Sequence, residues 1–89
     1  MLHLAGFDTS EPTLMALLLD CVNSGDAVVF LDDGLAWRTQ SAALAGLAAR
    51  GAALYALDDD APPAPLHTLD PAGLVALSEQ HPASSAWYP

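Results

Sequence analysis

Three strand-length apolar runs, separated by helix-length segments, constrain this chain more than any other feature. They are Leu2–Ala5, Ala27–Leu31 and Ala52–Leu57. Continuous rather than alternating apolar runs of this length belong to strands covered on both faces of a parallel sheet. Between the first two runs, Asp8-Thr9-Ser10-Glu11-Pro12 supplies helix-capping residues and an early proline. From Thr13 onward, Leu14, Leu17, Leu18, Cys21 and Val22 follow helical spacing, Met15 and Leu19 widen the stripe, and Asn23-Ser24-Gly25 closes the helix. Between the second and third runs, Asp33-Gly34 turns the chain. The alanine-rich segment Thr39–Arg50, with Leu44 and Leu47 apolar and Gly51 past its end, then reads as a second helix.

After the third run, Ala61-Pro62-Pro63-Ala64-Pro65 is a stiff extended connection, because proline neither donates to a ladder nor sits inside a helix. Leu66–Leu69 is a short fourth strand. Asp70-Pro71 has the form of an N-cap and first helical residue, and Leu74, Val75, Leu77 and Ser78 carry a third helix to about His81, where Pro82 stops it. Ser84–Tyr88 reads as a small tail with two aromatics. The order predicts one α/β domain over residues 1–89, with a mostly parallel sheet of four to five strands and helices on both faces.

The chain has no lysine, and Arg38 and Arg50 face eleven carboxylates for a formal net charge of −9. Phosphate contacts need cationic clusters, so direct nucleic-acid binding is not expected. The missing lysine also excludes a P-loop, a Schiff-base enzyme and a receiver-type phosphorylation site. At 53% hydrophobic and 15% charged, the chain is more apolar than an ordinary domain. The surplus predicts burial against partner chains and self-association when the chain is made alone. The apolar runs are far shorter than the roughly 20 residues of a membrane span. MLHLAGFD lacks the basic and apolar regions of a secretory signal, so the expected location is cytoplasmic.

Asp32 and Asp33 at a strand's carboxyl end have the chemistry to hold magnesium or to act as an acid and base. Adjacent residues on an extended chain point to opposite faces, however, so Asp33-Gly34 reads rather as a turn and cap for the next segment. Asp58, Asp59 and Asp60 likewise read as a solvated strand end. Cys21 is the one soft nucleophile and a candidate persulfide carrier. Its helical phase is shared with Leu14, Leu17 and Leu18, which predicts an inert buried thiol. His3, His67 and His81 are not at ligand spacing with Cys21 or with each other, so neither a metal nor a cofactor is expected. Trp37, Trp87 and Tyr88 read as ligand-stacking or interface aromatics.

Four separated segments, MLHL at the start, GDAVVFLDDGL, ALYALDDD and LVALSEQHPASSAW at the end, resemble in order and spacing the TusB/DsrH family of DsrE-like sulfur-relay proteins. The resemblance covers most of the chain and is weakest over residues 59 to 69. It implies a DsrE-like fold and a cytoplasmic subunit of a hexamer, a dimer of heterotrimers with TusC-like and TusD-like chains. That complex takes persulfide sulfur from a TusA-like donor and passes it to a TusE-like acceptor. The Tus route ends in the 2-thio group of wobble uridine in tRNA, and the Dsr route serves sulfur oxidation. The working cysteine belongs to the TusD-type subunit, and the matching place here is near Leu57. DsrH-type members can carry a cysteine in the first helix at the place Leu18 holds here, with Cys21 one turn later. The resemblance thus implies a structural and docking subunit, or alternatively a DsrH-like subunit with Cys21 as carrier. An acidic metal- or ligand-binding module using Asp32, Asp33 and Asp58 to Asp60 is the rival from another class.

Overall fold

A computed structural model of the chain describes residues 1–88. Its elements are β1 (Leu2–Ala5), α1 (Pro12–Cys21), β2 (Ala27–Phe30), a 3-10 helix (Asp32–Thr39), α2 (Ser41–Ala49), β3 (Ala53–Leu57), β4 (His67–Leu69), α3 (Pro71–Gln80) and β5 (Ser84–Trp87). The strands form one parallel sheet in the order β4-β3-β2-β1-β5. The expected α/β domain with a parallel sheet and helices on both faces is therefore present.

The chain steps from β1 to β2 to β3 in one direction, so right-handed crossovers put α1, the 3-10 helix and α2 on the same face. From β4 it crosses back over the sheet to β5 through α3, which covers the other face. Strand alternation divides the core accordingly. Ala5, Val28, Phe30, Leu54 and Ala56 meet Leu18, Val22, Trp37, Leu44 and Leu47 on the first face. Leu2, Ala27 and Val29 meet Leu74 and Leu77 on the second.

Several expectations are corrected. Ser84–Trp87 is a strand, not a tail: it pairs with β1 from Leu2↔Ser84 to Ala5↔Trp87. Its serines and alanine carry no apolar run, so no strand signal marked it. The segment from Asp32 to Thr39 coils into a 3-10 helix before α2 begins. Such a long run of 3-10 geometry is uncommon, and Trp37 anchors it. That side chain is fully buried, edge-on to Phe7 with centroids 5.6 Å apart and tilted on Phe30 at 5.2 Å. Trp37 is thus a core residue rather than an interface aromatic.

The third correction concerns Asp33-Gly34. Neither Asp32 nor Asp33 caps a helix, and the 3-10 helix has no side-chain cap. Gly34 is needed for close approach instead: a Cβ there would lie 1.9 Å from the Ala5 carbonyl oxygen. The fourth is the phase of α1. Leu18 and Val22 are buried and Leu14, Met15 and Leu19 pack against them, whereas Leu17 and Cys21, one turn apart, are exposed. The expected capping of α1 also differs, since Glu11 makes no side-chain cap and Asp8 turns back onto the Thr9 amide. Asp70 does cap α3, accepting from the Gly73 amide at 2.7 Å.

Candidate functional site

A cavity of about 460 Å³ opens between the carboxyl end of α1 and the β1–β5 pair. It does not lie at the carboxyl edge of the sheet, where open parallel sheets usually bind ligands. Cys21 and Asp20 come to it from α1, His3 from β1, Asp26 from the turn before β2, and Ser85 and Trp87 from β5. The volume is that of a small-molecule pocket.

At its base is a buried polar chain. Asp26 Oδ2 accepts from the Asn23 amide at 2.9 Å and bonds His3 Nε2 at 3.0 Å, while Oδ1 faces the Met1 amino group at 2.8 Å. Burial pushes the Asp26 carboxyl up, but the hydrogen bonds from the Met1 ammonium, the Asn23 amide and His3 outweigh it and hold the acid well below the usual carboxylate range. The other ring nitrogen of His3, Nδ1, accepts from Trp87 Nε1 at 3.2 Å. Both nitrogens of His3 are therefore engaged, and the ring is 1% exposed. No imidazole nitrogen is left to act as a base for Cys21, so the cavity has no activated nucleophile pair of the cysteine–histidine type.

The thiol itself is exposed, which corrects the expectation of a buried cysteine. The sequence pattern misled because Leu17 and Cys21 share a phase that does not face the sheet. Arg50, from the end of α2, donates to the Leu19 carbonyl and at 3.5 Å to the Val22 carbonyl. It thereby satisfies orphan groups at the carboxyl end of α1 and complements the helix dipole there.

The carboxyl edge of the sheet is acidic but divided. Asp8 follows β1, Asp32 and Asp33 follow β2, Asp58 to Asp60 follow β3, and Asp70 follows β4. Asp32 accepts the Tyr88 hydroxyl at 3.0 Å. Burial, then the hydrogen bond and charge of Asp32, raise the Tyr88 phenol above its ordinary value. The Tyr88 ring lies over Gly6, where a Cβ would meet it at 2.3 Å, and this closes the mouth beside β1. Asp59 pairs with Arg38 at 3.2 Å and Asp70 caps α3. Among the described residues no group of three or more His, Cys, Asp or Glu side chains is placed to hold a metal ion.

The remaining candidates scatter. His67 is exposed on β4 beside the Tyr55 ring, and His81 ends α3. The residue that sequence reasoning missed is Asp26, in the turn before β2. Its signal was position: an acid directly ahead of a dry strand needs partners at the strand's amino end. Among the described residues no helix is long and apolar enough to cross a membrane. No family model matches the chain, and no curated protein matches it significantly.

Proposed function

We propose that the chain is a structural and docking subunit of a cytoplasmic sulfur-relay complex of the TusBCD type, which passes persulfide sulfur toward 2-thiolation of wobble uridine in tRNA. The observation that carries this reading is what the family-like segments do in the fold. His3 of the MLH start and Trp87 of the AW ending, 84 positions apart, hydrogen-bond to each other. Gly34 of the DDG stretch lies against the Ala5 carbonyl. All three segments fasten β1 to its neighbours, and the polar groups they bring together, the His3 imidazole and the Asp26 carboxylate, are taken up by each other, by Trp87 and by Met1. Residues that build a strand's surroundings support a scaffold rather than a catalyst.

Uncovered apolar side chains support the docking part. Leu17 on α1 is 47% exposed and Val75 on α3 is 57% exposed, so each helical layer presents an aliphatic contact. These are the surfaces for TusC-like and TusD-like subunits, and the TusA-like donor and TusE-like acceptor act through the assembled complex. Co-expressed with the TusC-like and TusD-like chains of its source cells, the protein is expected to co-elute with them on size exclusion. Leu17→Glu or Val75→Glu is expected to weaken that association at least about tenfold while leaving the fold intact, since a carboxylate is costly in an apolar interface. Failure of the wild-type chain to co-elute contradicts the reading. Made alone, it is expected to self-associate, and a strictly monomeric species across a concentration series in light scattering contradicts that.

The exposed thiol favours a second reading, a DsrH-like subunit of sulfur oxidation in which Cys21 takes the terminal sulfur of a donor persulfide and the donor leaves as a thiol. Incubation with a charged donor then adds the mass of one sulfur atom to the Cys21 peptide. The docking reading expects no such addition.

A further inference from the structure

The His3–Trp87 contact has a direction that fixes the state of the imidazole. An indole N–H can only donate, so His3 Nδ1, 3.2 Å from Trp87 Nε1, carries no proton. The ring hydrogen is then on Nε2 and donates to Asp26 Oδ2 at 3.0 Å. His3 is thus a neutral Nε2–H tautomer held between an acid and a donor.

We propose that this arrangement is an acid-sensitive latch on β5. A proton taken up at Nδ1 faces the indole N–H, and two donors confront each other across 3.2 Å. The Nε2 side gains at the same moment, because a neutral hydrogen bond to Asp26 becomes a charge-assisted one. The imidazolium therefore stays with Asp26, and it is Trp87 that leaves. β5 is an edge strand of four residues paired only with β1, so few backbone bonds hold it in place. Its release removes the Trp87 and Ser85 wall of the cavity beside Cys21.

The charged and titratable groups facing the ring define what biases the latch. From the turn before β2, Asp26 draws the proton toward the imidazole. The Met1 ammonium, 2.8 Å from the same carboxylate, opposes it. From α1, Asp20 and Cys21 line the same cavity. β5 contributes only the indole of Trp87 and the hydroxyl of Ser85, neither of which titrates in this range.

Nitrogen NMR of the full chain tests the proposal. At about pH 8 the His3 ring is expected as the Nε2–H tautomer. On acidification from about pH 8 to about pH 5, two amides report on β5: Leu2 and Gly6, which donate to the Ala83 and Trp87 carbonyls at 3.0 and 2.9 Å. Their exchange protection is expected to fall at least about tenfold relative to β2 and β3 amides, in step with His3 protonation. In Trp87→Phe, which keeps the ring but removes the donor, that step should vanish. An Nδ1–H tautomer, or Leu2 and Gly6 protection that tracks the β2 and β3 amides throughout, overturns the latch. So does the same acid step in Trp87→Phe.

Discussion

Gly34→Ala is expected to destabilise the protein by about 3 kcal/mol or more, while Gly6→Ala costs about 0.5 kcal/mol. Both glycines leave no room for a methyl group, but they differ in what stands in the way. At Gly34 the nearest atoms are the Ala5 carbonyl oxygen and carbon, at 1.9 and 2.9 Å, and both are backbone of the interior strand β1. Relieving that overlap means moving β1 or the first turn of the 3-10 helix, and with it the Trp37 ring locked between Phe7 and Phe30. At Gly6 the obstacle is the far end of the Tyr88 side chain, which is half exposed and can swing aside at the loss of one exposed hydrogen bond to Asp32. Urea denaturation of the two variants should separate them clearly; equal midpoints would contradict the packing described for the DDG segment.

Asp26→Asn is expected to cost about 2 kcal/mol at neutral pH, because it removes a carboxylate that accepts from charged and neutral donors at once. An amide in its place puts a donor either where Oδ2 accepts from both the Asn23 amide and the His3 Nε2–H or where Oδ1 accepts from the Met1 ammonium. His3 cannot adapt by switching tautomer without losing the Trp87 bond. The pH dependence follows from the direction of the shift. The folded-state pKa of Asp26 lies below its ordinary value, so the stability it adds is complete above the unfolded value near pH 4 and is lost as pH falls through the folded one. The gap between wild type and Asp26→Asn should therefore close as pH falls below about 4. A gap that stays constant below that pH would show that the effect is not the charge of Asp26.

Much of this fold is legible in the sequence because the dry runs Leu2–Ala5, Ala27–Leu31 and Ala52–Leu57 can only be strands covered on both faces, and helix patterns between them force parallel crossovers. The Asp70-Pro71 start of α3 was equally readable, since capping chemistry is local. What escaped was set by tertiary contact. β5 has no apolar pattern of its own and is a strand because β1 offers it an edge. Trp37 leads into the polar run Arg38-Thr39-Gln40, and only the distant rings of Phe7 and Phe30 make it core. The phase of α1 was ambiguous because leucines surround most of the helix, so which side faces the sheet depended on packing. The polar chain under the cavity joins Met1, His3, Asn23, Asp26 and Trp87 from three separate segments, and no local spacing announces it.

The central claim, a docking subunit of a tRNA sulfur relay whose own thiol is dispensable, is tested most directly by the 2-thiouridine content of total tRNA. The comparison is between source cells lacking the chain and the same cells supplied with wild-type or Cys21→Ser protein. The account predicts that 2-thiouridine is lost without the chain and restored equally by both forms. Unchanged 2-thiouridine in cells lacking the chain, or restoration by the wild type alone, would contradict it.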